Sequence, residues 1–229
     1  MPDRLIEALR RFHRETFPRY REHYRRLVEE GQNPGTLFIG CSDSRIVPDL
    51  LMGTGPGELF IVRNMGAFVP PFEADQCFHG TSAGIEFAVL TLRVTDIVVC
   101  GHSHCGAIRA LYDPPNPATP HIVRWLELAR QARIQGPEVE GAGSSGTGAG
   151  SSGEGPGTEP GSVPPDPDVL RRSEQRSVAI QLERLLGYPM VRERVEAGSL
   201  SLHGWHYVIE DGRVLALDVD RQAFLPLGD

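Results

Sequence analysis

The stretch Thr36–Arg45, TLFIGCSDSR, runs from an unbroken apolar segment into a cysteine, an acid and a base within five positions. A short apolar run without alternation marks a strand buried on both faces, as in a parallel sheet covered by helices. A loop needs no thiol, carboxylate or guanidinium for solubility alone. Sixty residues on, Asp96–Ala107, DIVVCGHSHCGA, repeats the arrangement, this time with two histidines and a cysteine in the loop. Between them lie ELFIVR (58–63), a further strand, and TSAGIEFAVLTLR (81–93). The latter carries Ile85, Ala88, Val89 and Leu92 on one helical stripe. Strand and helix alternate, which predicts an α/β fold: a mainly parallel β-sheet core flanked by helices.

On the amino-terminal side, residues 2–30 read as helical, with Leu5, Ile6, Leu9 and Phe12 at helical spacing, then Tyr20, Tyr24 and Leu27. Pro18 divides this N-terminal helical arm (1–31) in two. Near the other end, Val178, Ile180, Leu182, Leu185 and Leu186 mark a helix, and YPMVRERVEAG a shorter one. WHYVIEDGRVLALDVD comes next, with Asp211-Gly212 between two β-patterned runs, the signature of a C-terminal β-hairpin. Residues 136–168 read as a flexible Gly/Ser/Pro-rich insertion: from 141 to 161, nine of 21 residues are glycine and four serine, too few apolar groups to order a chain. The segment beyond residue 168 is too short to build its own core, so residues 1–229 read as one domain.

The chain has 23 basic and 30 acidic residues, a formal charge of −7, which argues against a general nucleic-acid binder. The basic cluster RRFHRETFPRYREHYRR reads as a solvated helix face. No run approaches a membrane span, and the first residues show no apolar signal core, so a cytoplasmic protein is expected. A chain of this size can build a core without disulfides, so the four cysteines point instead to metal or catalytic roles. Cys100 continues an apolar run and reads as structural, as does Cys77.

In open parallel sheets ligands bind beyond the carboxyl ends of the strands, so the two polar loops converge on one candidate site. Cys41, His102 and Cys105 form a metal set: two thiolates and one imidazole suit zinc, and three protein ligands leave a fourth position open, as in catalytic zinc sites. His104 is the competing ligand. A rival reading makes Cys41 a nucleophile activated by His102, but it leaves Cys105 without a role. Asp43 and Arg45, alone, would be a surface ion pair of about 1 kcal/mol at most; flanked by Cys41 and matched by His102 and Cys105, they read as more than that.

The pairing of C-x-D-x-R with H-x-x-C resembles the β-class carbonic anhydrases. The resemblance extends to PGELFIVRNMGAFVPP, GTSAGIEFAVLTLRVTDIVV and LERLLGYPMVRERVEAGSLSLHGWHYVIEDG, and so spans about residues 32–217 apart from the insertion. It implies that Cys41, His102 and Cys105 bind Zn2+, that Asp43 and Arg45 are catalytic, and that Gln32 and Phe60 line a plant-type substrate pocket. Phe87 stands where that group commonly has tyrosine, and Phe38 and Ile46 depart from the tryptophan and valine of the bacterial allosteric members. The implied activity is reversible hydration of CO2 to bicarbonate and a proton by zinc-activated water. The implied assembly is a homodimer or larger with its site at the subunit interface. Two other readings keep the metal: a carbon disulfide hydrolase on the same fold, and a non-enzymatic zinc- or bicarbonate-binding assembly protein, for which the dyad would have no use.

Overall fold

The computed structural model describes residues 2–73, 79–113, 115–134 and 165–227. Cys77 and most of the expected insertion lie outside these residues. Six strands form one sheet in the order β2-β1-β3-β4-β5-β6: β1 (Thr36–Cys41), β2 (Leu59–Asn64), β3 (Asp96–His102), β4 (Ser201–Val208), β5 (Arg213–Asp218) and β6 (Ala223–Pro226). The first four in that order run parallel, and β4, β5 and β6 are antiparallel. The expected hairpin is therefore present and is extended by β6, whose four residues were too few to stand out as a pattern.

The helices are α1 (Asp3–Arg11), α2 (Phe17–Glu30), α3 (Pro48–Met52), α4 (Gly80–Glu86), α5 (Gly106–Arg109), α6 (Pro120–Leu126), α7 (Pro167–Leu185) and α8 (Pro189–Glu196). A π-helical turn at Phe12–Thr16 joins α1 to α2, and Pro18 follows it as the second residue of α2. α7 takes up the last two residues of the expected insertion. Asp166 caps it, accepting from the Asp168 N–H at 2.8 Å.

Strand alternation divides the core between the two sheet faces. Leu37, Ile39, Ile97 and Val99 pack with Ile85, Val89, Val178, Leu185 and Tyr188 on one face. Phe38, Val98 and Cys100 pack on the other, against Leu51, Met52, Ile61, Trp205 and Tyr207. This is why the middle of β1 (37–39) and of β3 (97–100) is apolar without alternation. α7 lies close to the sheet because Gly204 has no side chain; a Cβ there would stand 2.8 Å from Leu182, 3.0 Å from Val178 and 3.3 Å from Leu217.

A Gly204→Val substitution should therefore overpack this contact and destabilise the protein by about 1–3 kcal/mol. Urea unfolding monitored by circular dichroism checks this, and an unchanged midpoint would contradict the close approach of α7.

Candidate metal centre and catalytic dyad

The centre forms because β1 and β3 are neighbours in parallel register. Gly40 pairs with Cys100, so Cys41 leaves its strand one step before His102 leaves the adjacent one. Cys105 then begins α5. The ligand atoms of Cys41, His102 and Cys105 all lie within 4.8 Å of one another, and all three residues are buried.

Each ligand is aimed by a specific contact. Arg63 on β2 donates to the Cys41 carbonyl from Nε and Nη2 at 3.0 and 2.9 Å, and to the Asp43 carbonyl at 2.7 Å. Asn64, level with Cys41 across β1 and β2, exchanges two 2.8 Å hydrogen bonds with the Phe68 backbone through its side-chain amide. That clamp shapes the loop Met65–Ala67, in which Gly66 has a φ of 85° and a Cβ would meet the Phe68 ring at 2.4 Å. The loop thereby brings the Gly66 N–H to 3.3 Å from Cys41 Sγ. His102 Nδ1 lies 2.9 Å from the Ser103 carbonyl and donates to it, which leaves the Nε2 lone pair facing the sulfurs. That Nε2 is buried without a hydrogen-bond partner. The Cys105 N–H donates to Glu174 at 2.9 Å.

The electrostatics explain what this set is suited to hold. The hydrogen bond from Cys105 holds the Cys41 thiol down at about 4, against the opposing effect of burial and with help from His102 and the Asp43 and Gly66 amides. Cys105 is pushed far up, first by its hydrogen bond to Cys41 and then by burial. Burial favours neutral His102, but the Cys41 thiolate outweighs it and raises the imidazole. Without a cation, then, the pocket stabilises one thiolate and resists a second. A divalent ion removes that resistance, and the buried, unpartnered Nε2 supplies the third donor. Two sulfurs and one imidazole nitrogen fit zinc, with one tetrahedral position remaining.

Asp43 stands at the edge of this cluster and outside its ligand set. Arg45 grips it in a fork, Nε to Oδ1 at 2.9 Å and Nη2 to Oδ2 at 2.7 Å, and the Arg45 amide adds a 3.0 Å bond to Oδ1. These bonds hold the Asp43 carboxyl well below the usual range, so it is ionised throughout the neutral region. Arg45 is fixed in turn by the His104 carbonyl at 3.1 Å, a bond made possible by the left-handed backbone of His104 at φ 57°. The His104 ring turns to Glu210, 3.3 Å away, and takes no part in the cluster. Asp43 Oδ2 lies 4.0 Å from His102 Nε2, so the carboxylate faces the metal position. Ser42 and Ser44 are exposed, as spacers between inward-facing residues should be.

Gln32, Phe60 and Phe87 are not brought to this centre within one chain. Gln32 is exposed and lies before the amino end of β1, the end opposite to the one from which Cys41 emerges. Phe60 pairs with Leu37 near the amino end of β2, four residues before Asn64. It packs against Phe87 with ring centroids 5.6 Å apart, forming an aromatic pair at the far end of the edge strand. Arg63, Asn64 and Glu174 escaped sequence reading. Arg63 closes a run read only as a strand, Asn64 lies one residue beyond it, and Glu174 sits on a helix read only by its apolar residues.

Because Cys41 is the group held as thiolate and burial pushes Cys100 up to about 12, metal-free protein treated with iodoacetamide near pH 7 should be alkylated at Cys41 before Cys105 or Cys100. Zinc should protect Cys41. Peptide mass spectrometry checks the order, and modification of Cys100 first would contradict it.

Comparison with known proteins agrees with this geometry. The carbonic anhydrase family model matches residues 36–214. A carbonic anhydrase of Pseudomonas aeruginosa is 37% identical over 226 residues, covering 98% of this chain and 91% of that protein. One from Synechococcus elongatus is 36% identical over 222 residues, covering 93% of this chain and 71% of that protein. Among solved structures, the β-carbonic anhydrase CcaA matches with a TM-score of 0.79 at 32% identity, over 99% of this chain and 92% of that one. A chain from the structures of two tetrameric β-carbonic anhydrases of Sordaria macrospora matches with a TM-score of 0.71 at 25% identity, over 94% of this chain and 98% of that one.

Proposed function

The chain belongs to the β-carbonic anhydrase family of enzymes, and from that premise we propose that it interconverts CO2 and bicarbonate with a zinc ion held by Cys41, His102 and Cys105. The observation that carries this reading is the buried Cys-His-Cys cluster with an ionised carboxylate facing it. Bound there, zinc supplies the Lewis acidity that brings a water molecule towards ionisation near neutral pH.

The chain's own residues do the rest. Asp43 offers a carboxylate oxygen that accepts a hydrogen bond from the attacking water and so turns its lone pair towards CO2. Arg45 keeps that carboxylate ionised and aimed, because both of its oxygens are already engaged by the guanidinium fork. The same engagement supports an open site, in which Asp43 orients water instead of occupying the fourth ligand position.

CO2 is small and uncharged, and apolar walls suit it better than polar contacts. On this reading Phe60 and Phe87 supply those walls, and Gln32 gives a hydrogen bond to a substrate or bicarbonate oxygen. Their distance from Cys41 within a chain supports a site completed by a second copy. So does the arm: α1, the π-helical turn and α2 bury no residue, leaving Leu9 and Val28 exposed. The Sordaria macrospora relatives are tetrameric, and assembly as a dimer or larger is the corresponding proposal here. No helix among the described residues is long and apolar enough to cross a membrane.

Metal analysis should give about one zinc per chain, and Asp43→Ala should lower kcat/KM for CO2 hydration in stopped-flow by about 100-fold or more. Full activity in that variant would overturn the assignment. If Gln32 acts across an interface, co-expressing a Cys41→Ser chain with a Gln32→Ala chain should yield mixed oligomers with activity above either parent. Mixed oligomers no more active than the parents would place Gln32 outside the neighbouring site.

A further inference from the structure

The buried face of α7 is polar where a core helix would be apolar. Glu174, Ser177, Val178 and Gln181 follow one another at helical spacing, and all four are buried. Two glycines let this face approach the sheet: Gly204 on β4, and Gly101 on β3, where a Cβ would meet Val178 Cγ2 at 2.6 Å. Gly101 immediately precedes His102, so α7 presses against the strand end from which the metal loop emerges.

Glu174 is 3% exposed. Burying a carboxylate is costly unless its oxygens are matched, and both of these are. Oε1 accepts the Cys105 N–H at 2.9 Å, and Oε2 faces His206 Nε2 at 3.2 Å. His206 is itself fully buried on β4, with its ring edge-on to Phe224. A buried imidazole thus braces a buried carboxylate, which in turn holds one backbone amide.

That amide belongs to the ligand with the weakest local support. Cys41 terminates a strand paired on both sides, and His102 terminates another. Cys105 stands three residues beyond β3, at the start of the four-residue α5, which is too short to hold its own position. Its direction depends on where its backbone is pinned, and the pin comes from 69 residues away in sequence.

We propose that Glu174, braced by His206, is the positioning residue that aims Cys105 at the metal. The proposal rests on the zinc reading above and adds to it a contact between α7 and β4 that governs how firmly the ion is held. Outer contacts of this kind typically change metal affinity by about 10–100-fold when removed.

The test uses the zinc-loaded full chain and measures release of zinc to a chromophoric chelator, together with the thiolate-to-metal charge-transfer bands of cobalt-substituted protein. Glu174→Ala should release zinc about 10-fold faster or more, with altered cobalt bands. Glu174→Gln keeps an oxygen for the Cys105 amide and should stay within about threefold of wild type. His206→Phe, which removes the brace, should fall between them. A purely structural role would lower the melting temperature of Glu174→Ala and leave zinc release from the folded protein unchanged, and that result overturns the proposal. If Glu174→Ala does not fold, wild-type release from His206→Phe overturns it instead. Absence of stoichiometric zinc from wild type would overturn the metal reading itself, whereas zinc-replete wild type with insensitive variants would remove only the role of Glu174.

Discussion

Two sulfurs and an imidazole nitrogen within 4.8 Å of one another in a buried pocket form a donor set that the protein alone does not balance. One thiol is driven to thiolate and the other away from it, because the second donates its hydrogen bond to the first and is buried besides. The surrounding structure supports that arrangement at each point. Parallel pairing of β1 with β3 supplies two adjacent strand ends, the Asn64 clamp turns the Gly66 amide onto a sulfur, and Arg63 ties down the backbone between Cys41 and Asp43. Moving either strand by one register step would point its ligand at the opposite sheet face.

The dyad depends on the same loops but is held separately. Arg45 bonds to Asp43 on its own loop and to the His104 carbonyl on the other. The left-handed backbone of His104, unfavourable for a residue with a Cβ, turns that carbonyl towards the guanidinium. This bond joins the Asp43 loop to the loop carrying His102 and Cys105, so the Asp43 carboxylate and the three candidate ligands keep a fixed relation. An exposed ion pair would give little stability in itself; here its value lies in geometry.

Much of this was legible in the sequence, for a physical reason. Strands buried on both faces must be apolar throughout, so TLFIGC and DIVVCGH identify themselves, and the polar residues that interrupt them are conspicuous at their carboxyl ends. Asp211-Gly212 marked the hairpin, although the connection is the four-residue loop 209–212 and not a two-residue turn, with Gly212 taking the positive φ of 68° that closes it. Arg63 and Asn64 were hidden, since a polar residue closing a strand carries no mark of the backbone groups it will meet. Glu174 was hidden more deeply. On a helix with charged neighbours it reads as solvated, and only the approach of α7 over Gly101 and Gly204 reveals that its face is turned inward.

Gln32, Phe60 and Phe87 make a different point about what a single chain can contain. A motif reports which residues act together but not whether one copy of the fold can bring them together. The parallel sheet separates its two ends by the length of a strand, with Gln32 and Phe60 at the amino end and Cys41 and His102 at the carboxyl end. An arm of two helices and a π-helical turn in which no residue is buried, together with the partly exposed aromatic pair of Phe60 on the edge strand and Phe87, is the complementary deficit. A second copy, on the proposed reading, answers both at once: it covers the apolar surface that the arm and edge leave bare, and it can carry the amino end of one sheet to the carboxyl end of another. Catalysis and assembly would then share one interface, and a substitution that weakened the arm would reduce activity without touching a ligand.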